Sequence, residues 1–350
     1  MLSSQKQKFL VTGGAGYIGS HTTLALLQAG ADVVVLDNLH NSSAESLRRV
    51  AQISGFKPVF IRGDVRDRAI LESVFASHSI DAVLHFAGLK AIGESACDPL
   101  NYYDNNVHGS QLLLQVMAKA GVFCFVFSSS ATVYGAPEKM PIPETCPVDR
   151  PTNPYGRSKL MVEDMLRDLV MSDSRWRIAI LRYFNPVGAH ESGLMGEDPK
   201  GVPKNLMPYI CQVAAGKLPH LSIFGDDYPT SDGTGVRDYL HVVDLAAGHL
   251  SALEAIQKRS GSHVWNLGTG KGHSVFDVIV AFEFASKRKV PYCILPRRSG
   301  DTGSCYADPS KAEREIGWKA TRGLAEMMRD AWRWQAMNPN GYDGNVQTWL

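Results

Sequence analysis

The sequence predicts an α/β protein, a doubly wound parallel sheet with a smaller second domain, and three observations predict it. Up to Asp37 the chain reads strand, glycine-rich turn, helix, strand, acid. Strand-like and helix-like segments then alternate as far as Tyr183, the pattern of a parallel sheet with helices on both faces. After Asn185-Pro186 glycine and proline become frequent and the periodicity fades, which suits a loop-rich unit laid over the carboxyl edge of the sheet. The expected organisation is a dinucleotide-binding domain over 1–185, rejoined by 242–268, and a substrate-binding domain over 186–241 and 269–350.

Phe9-Leu10-Val11 is a short apolar strand, followed by Thr12-Gly13-Gly14-Ala15-Gly16-Tyr17-Ile18-Gly19. Leu24, Leu26 and Leu27 then fall in a helix that stops at Gly30, a good C-terminal cap. A second strand, Val33 to Leu36, ends in Asp37. Gly13, Gly16 and Gly19 let the backbone turn sharply and approach a pyrophosphate, whose charge then sits at a helix N-terminus. Asp37 suits the hydroxyls of an adenosine ribose, which favours NAD over NADP. The arrangement is that of a Rossmann-type sheet. Further strands are expected at 58–62, 82–86, 123–128 and 178–183, and helices at 67–78, about 100–120 and 155–171. Beyond the change in texture, helices are expected at 206–215 and 324–335.

Tyr155 and Lys159 stand four residues apart on one of these helices, so they share a face. A free phenol has a pKa of about 10 and is a poor base at neutral pH. A nearby ammonium and a bound cationic ring would favour the phenolate. The bland reading is a Tyr/Lys pair decorating an amphipathic helix; the dinucleotide fingerprint gives the pair a partner to act on.

Composition narrows the partners. With 350 residues, 44% apolar and 20% charged, the chain is an ordinary globular protein of one large or two modest domains. A formal net charge of +1 gives no reason to expect nucleic acid or an anionic membrane as partner. Six scattered cysteines without a C-x-x-C pair indicate neither zinc nor a disulfide framework. A first strand by Phe9 leaves no room for a secretory signal, and no apolar run is long enough to span a bilayer. A cytoplasmic protein with reduced thiols is expected. His85 and His241 sit at strand ends in apolar surroundings without companions at ligand spacing, so structural histidines are expected and no metal.

Six stretches carry a resemblance: the glycine-rich turn Thr12 to His21; His85-Phe86-Ala87-Gly88-Leu89-Lys90-Ala91; Tyr102-Tyr103-Asp104-Asn105-Asn106; Ser128-Ser129-Ser130-Ala131-Thr132-Val133-Tyr134-Gly135; Pro154-Tyr155-Gly156-Arg157-Ser158-Lys159; and Asp232 to His241. Together they resemble the extended short-chain dehydrogenase/reductases and, among them, the UDP-galactose 4-epimerases, from about Phe9 to Trp334. The resemblance implies NAD as a catalytic cofactor and a UDP-sugar as substrate. It implies that Tyr155 removes the sugar 4-hydroxyl proton, that Lys159 lowers the Tyr155 pKa, and that Ser130 shares a hydrogen bond with the reacting hydroxyl. It also implies a homodimer, pairing the 100–120 and 155–171 helices across a two-fold axis.

The resemblance places further residues around the cofactor: Tyr17, Ile18, Asp37, Asn38, Asp64, Val65, Phe86, Ala87, Gly88, Lys90, Asn105, Ser128 and Tyr183. On the substrate side it places Lys90, Asn185, Asn205, Leu206, Phe224, Arg237, Arg298, Asp301 and Cys305. A diphosphate calls for fixed cations and bidentate donors, which is arginine chemistry, and Asn205 opens a helix whose N-terminus suits a phosphate. Cys305 would face the sugar 2-substituent, and its small side chain would admit an acetamido group. Plainer readings stand beside these. Ser130 could cap a turn, Lys90 could be solvated, and Asn185 could be a turn residue before Pro186. Arg297-Arg298 could be a solvated face, and a slip of one residue would aim Tyr306 at the pocket.

Two other activities fit parts of the pattern. Sugar-nucleotide 4,6-dehydratases share the fold, NAD and the Tyr/Lys pair, but carry an Asp-Glu pair after the active-site Ser or Thr. Here those places hold Ala131 and Thr132, which cannot titrate usefully. A non-catalytic NAD sensor would have no need of Ser130, Tyr155 and Lys159 together with two anion-binding arginines.

Overall fold

The computed structural model describes residues 6–137, 139–148, 151–298 and 301–343. Six parallel strands come from the first half of the chain: β1 (Lys8–Thr12), β2 (Asp32–Asp37), β3 (Val59–Arg62), β4 (Ala82–His85), β5 (Cys124–Ser128) and β6 (Arg177–Tyr183). A short β7 (Asn185–Val187), β8 (Leu221–Phe224) and β9 (Val236–His241) precede β10 (Gly261–Leu267), which returns to the large sheet. The sheet order is β10-β6-β5-β4-β1-β2-β3, so the chain reverses direction between β1 and β4, where such sheets bind ligands at their carboxyl ends. β10 pairs with β6 along its whole length, from Gly261 opposite Arg177 to Leu267 opposite Tyr183.

Alternation along the strands explains why the sheet needs cover on both sides. Leu10, Val34, Val83, Phe125, Ile178 and Ile180 enter one core cluster. Their neighbours Val11, Val33, Val35, Leu84, Val126, Ala179 and Leu181 enter another. Helices cover both faces: α1 (Tyr17–Gln28), α2 (Glu45–Ser54), α3 (Arg68–Ser77), the short α4 (Ile92–Cys97) and α5 (Pro99–Tyr103), α6 (Gly109–Lys119) and α7 (Pro154–Ser172). The expected helix over 100–120 is therefore not uniform. Asp104–His108 forms a π turn between α5 and α6, and such wide turns recur at functional sites.

Past β7 come α8 (Leu206–Ala214) and α9 (Val242–Ile256), the latter packed on α1, then β11 (Gly272–Ser274), α10 (Val275–Ser286), β12 (Tyr292–Leu295), β13 (Ser304–Cys305), α11 (Ser310–Ile316) and α12 (Leu324–Met337). β7, β9, β11 and β13 make a small sheet, and β8 pairs with β12. α8, α10 and α12 share a separate core of Met207, Ile210, Val278, Phe282, Met327 and Met328. Neither α2 nor the strands β8, β11, β12 and β13 were expected from sequence.

Candidate active site

The glycine-rich turn leaves β1 and opens α1 at Gly16, whose side-chain-free N-cap leaves the first backbone N–H groups of the helix for a ligand. Gly13 has φ +69°, and a Cβ there would stand 2.6 Å from the Ala87 nitrogen, so the turn and the loop after β4 touch backbone to backbone. Gly19 lies buried on the first turn of α1, while Ile18 packs on the core beneath. Such a cradle fits a pyrophosphate. Asp37, at the end of β2, accepts from Ala15 N (3.0 Å), Leu39 N (2.9 Å) and Ser42 Oγ (2.7 Å), which fixes its carboxylate beside the turn. Asn38 donates to Asp64 at 2.9 Å, and Arg66 grips both Asp64 oxygens at 2.9 Å. Those Arg66 bonds hold the Asp64 carboxyl well below the usual carboxylate range. These groups fit a dinucleotide without a ribose phosphate.

Two cofactor candidates also have packing or tethering roles. The Tyr17 hydroxyl is buried and donates to Gly188 O at 2.7 Å, tying α1 to the loop after β7. Val65 is buried in the core, in contact range of any side chain added at Gly109. The histidines are structural. His85 is bonded on both nitrogens, to Thr12 Oγ1 at 2.6 Å and to Ser110 Oγ at 2.9 Å. Because Ser110 donates its own proton to Asn106 O, His85 carries its proton on Nε2, and burial pushes its pKa down to about 3. His241 accepts from Val243 N and stands 3.4 Å from Asp330. Among the described residues no group of three or more His, Cys, Asp or Glu could hold a metal ion.

Ser130, Tyr155 and Lys159 meet at the carboxyl end of β5, all three nearly buried. Asn153 caps α7 by accepting from Gly156 N at 2.8 Å, and Pro154 fits its first turn. A Cβ at position 156 would lie 2.9 Å from Thr132 O, so glycine after Tyr155 lets α7 press against the Ser130 loop. Ser130 caps the 3-10 turn Ala131–Tyr134, as the plain reading held, accepting from Thr132 N (3.2 Å) and Thr132 Oγ1 (3.0 Å). With both lone pairs taken, its proton is left to face the Tyr155 oxygen, whose pKa Ser130 lowers. Capping therefore leaves the hydroxyl proton unused by the turn.

Lys159 Nζ donates to Ser128 O at 2.8 Å and lies 4.9 Å from the Phe127 ring centre but 6.0 Å from that of Tyr155. Within the protein itself, burial raises the Tyr155 pKa and the Ser130 hydroxyl works the other way. Burial also pulls Lys159 down, to about 8. The ammonium points at the strand end rather than the phenol, and desolvation outweighs a charge at that distance.

The remaining cofactor-side candidates gather around this pair. The Gly88 backbone passes close by, where a Cβ would stand 3.6 Å from Lys159 Nζ. Tyr183 bonds Ser128 Oγ through its hydroxyl, and Phe86 lies with its ring 4.7 Å from buried His249. Asn105 sits half-buried in the π turn, but its neighbour Asn106 makes the bonds: it accepts from Leu89 N (2.8 Å) and donates to Leu89 O and Ser158 Oγ (both 3.0 Å).

On the other side of the cleft the charged candidates pair with one another. Lys90 Nζ (3.0 Å) and Asn205 Nδ2 (2.9 Å) both donate to Glu197, a residue that no spacing in the sequence singles out. Asn205 precedes α8 without capping it, and Leu206 packs partly against the second core. Arg298 donates to Asp301 at 2.9 Å and stands 4.6 Å from the Phe224 ring centre, while Arg237 lies 4.0 Å from the same carboxylate. Arg297 turns away to Asp227 and Tyr228, so the two adjacent arginines do different things. Asn185 is exposed at the start of β7. Cys305 pairs with Arg237 across β13–β9 and packs beside the cluster of Ala131, Val133 and Phe184. Tyr306 is aimed elsewhere, at Gly272.

Residues 9–268 match the NAD dependent epimerase/dehydratase family. A UDP-glucose 4-epimerase of Pasteurella multocida is 61% identical over 333 residues, 95% of this chain and 98% of that protein. The crystal structure of a UDP-glucose 4-epimerase from Bifidobacterium longum with NAD+ and UDP has a TM-score of 0.94 and 55% identity, covering 96% of this chain and 100% of that one. That of an enzyme from Stenotrophomonas maltophila, with NAD and formylated UDP-arabinopyranose, has a TM-score of 0.93 and 53% identity over 95% of this chain and 99% of that one. The matched stretch takes in the glycine-rich turn, the Ser130 loop and the Tyr155/Lys159 helix, and this chain belongs to the NAD dependent epimerase/dehydratase family.

Proposed function

We propose that this chain interconverts UDP-galactose and UDP-glucose by NAD-dependent 4-epimerisation through a transient 4-keto sugar. The observation that carries the reading is the convergence of Ser130, Tyr155 and Lys159 with no carboxylate at positions 131 and 132. Gly13, Gly16, Gly19, Asp37 and Asp64 would hold NAD, with Lys159 and Tyr183 at its nicotinamide end. Bound NAD+ would supply a hydride acceptor for C4, able as NADH to give the hydride back to the other face of the turned keto sugar, and a positive charge near Tyr155. Tyr155 takes the 4-hydroxyl proton as the keto sugar forms and gives it back when the alcohol is restored. The Ser130 hydroxyl favours the ionised phenol. Arg237, Arg298 and Asp301 would hold the diphosphate and uridine ribose while Lys90, Asn185 and Asn205 meet the sugar.

In this reading the dinucleotide belongs to 1–185 with 242–268, and the sugar nucleotide to 186–241 with 269–350. Leu100 (77% exposed) and Met161 (41%) sit on the two helices that would pair in a homodimer, which sedimentation at micromolar concentration would test; a monomer alone would contradict it. All six cysteines are free, which suits a reducing cytoplasm, and among the described residues no helix is long and apolar enough to cross a membrane. The deciding experiment is incubation of purified, dialysed protein with UDP-galactose and no added NAD. UDP-glucose should appear and denaturation should release NAD; a 4-keto-6-deoxy product, or no turnover, would sink the reading.

A further inference from the structure

Three consecutive serines meet three residues spaced one turn apart on α7. Ser130 faces Tyr155 and opposes the rise of its pKa, Ser128 O accepts from Lys159 at 2.8 Å, and Ser129 Oγ donates to Glu163 at 2.6 Å. Residues 155, 159 and 163 lie at i, i+4 and i+8 and so form one stripe of the helix. Glu163 is fully buried and heavily paired. Arg182, on β6 beside Tyr183, grips both its oxygens at 2.9 and 2.6 Å, and Arg167 adds a bond of 2.7 Å. From the other side, Ser129 N donates to Leu181 O at 2.9 Å.

We propose that Ser129 and Glu163 are a positioning pair that holds the Ser128–Ser130 loop in register with the catalytic stripe of α7. Neither touches substrate or cofactor. Two arginines already compensate the Glu163 charge, so the Ser129 bond is not what keeps a buried carboxylate tolerable. Its geometric effect is on its neighbours. Ser129 is the residue between the carbonyl that accepts the Lys159 hydrogen bond and the hydroxyl that faces Tyr155, and a loop with its middle residue pinned cannot slide along the helix. Small displacements of reacting groups carry large rate losses.

The inference rests on the epimerase reading, and the test separates the two: parent protein that does not epimerise refutes that reading, whereas the inference is judged only against an active parent. Ser129→Ala removes the tie while leaving Arg182 and Arg167 on Glu163. Expected are a kcat lower by about tenfold, a KM for UDP-galactose within about twofold, undiminished NAD retention, and an acid limb of kcat moved to higher pH because Ser130 no longer favours the ionised phenol as strongly. Ser129→Thr, which keeps the hydroxyl, should recover the parent's acid limb. Arg167→Ala, which loses only an outer partner of Glu163, should leave kcat within about twofold. An unchanged kcat and acid limb in Ser129→Ala, a loss confined to KM or Tm, or an equal loss in Arg167→Ala would overturn the proposal. Should the alanine variant be too unstable to assay, the threonine variant decides: a displaced acid limb there overturns the proposal, and the parent's limb upholds it.

Discussion

The two sides of the cleft are held by different kinds of bond. On the side of the large sheet, Tyr155, Lys159 and Ser130 are nearly buried, and the bonds that fix them end on backbone or on other buried groups. On the other side the partners are more exposed: Arg298 is 54% exposed and Asn205 is exposed too, and both rest on carboxylates. Exposed ion pairs contribute about 0–1 kcal/mol, whereas breaking a buried pair costs about 3–5 kcal/mol. In the proposed reading, groups that handle a proton at a fixed place are locked, and groups that meet the ligand rest on contacts cheap to exchange. The Asp301 carboxylate shared by Arg237 and Arg298, and the Glu197 carboxylate shared by Lys90 and Asn205, would there give up these partners to ligand oxygens.

The largest effect expected from this contrast is at the locked side. Tyr155→Phe removes one oxygen from a packed site, so the fold and retained NAD should survive while kcat falls by about 10² to 10⁴. Nearly parental kcat in that variant would break the contrast at its centre. Next come the arginines. Arg237→Ala and Arg298→Ala should raise KM by about 10- to 100-fold, the worth of a charge-assisted hydrogen bond, with a smaller change in kcat and little change in Tm. Arg237, 22% exposed, should matter more than Arg298. A large Tm loss in either would show that these pairs hold the fold rather than await a ligand.

Cys305→Tyr sharpens the comparison inside the pocket. The cysteine side chain is small and packs beside the apolar wall next to Ser130, so the parent should accept UDP-N-acetylgalactosamine as well as UDP-galactose. A tyrosine ring there should cost the acetamido substrate about 1–3 kcal/mol in kcat/KM and spare the plain hexose. Equal use of both substrates by the variant, or refusal of the acetamido sugar by the parent, would contradict this view of the pocket.

The last effect is on stability rather than on turnover. His21 and His85, held by burial at about 3, and His249, at about 4, all lie on elements of the large sheet or its helices. Their folded pKa values are below the unfolded one, so between about 6.5 and those values the unfolded chain binds more protons, and stability falls as pH falls. The slope is at most about 1.4 kcal/mol per pH unit for each histidine. Urea titrations at pH 7 and pH 5 should show the loss, and His85→Gln should reduce it; a midpoint independent of pH over that range would contradict the burial argument.

Much of this was legible in the sequence because both faces of the sheet are apolar: β1, β2 and β4 fall within one residue of their expected places. The glycine turn and the Tyr155/Lys159 spacing are local patterns and read directly. What escaped reading depends on bonds between distant segments. Glu197 joins Lys90 to Asn205 across more than a hundred residues, and nothing near it in sequence announces that. Asn106, beside the candidate Asn105, carries the hydrogen bonds of the π turn, and no spacing rule foretells that turn. Glu163 was within reach, since it repeats the four-residue step from Tyr155 to Lys159 once more. The sequence reading of Tyr155 weighed Lys159 and a bound cationic ring but not the desolvation that a packed strand end imposes.

The place of β10 in the large sheet has a consequence for dissection. Its seven residues zip onto β6 in parallel, yet they arrive only after the chain has built β7, β8, β9 and α9. A fragment ending near residue 185 would therefore present β6, whose residues from Ile178 to Tyr183 are all buried in the intact chain, as a bare apolar edge. Such a piece invites edge-to-edge association rather than folding alone. Nascent chain must hold six strands in waiting while some eighty more residues are synthesised, a topological debt that local-contact folds do not carry.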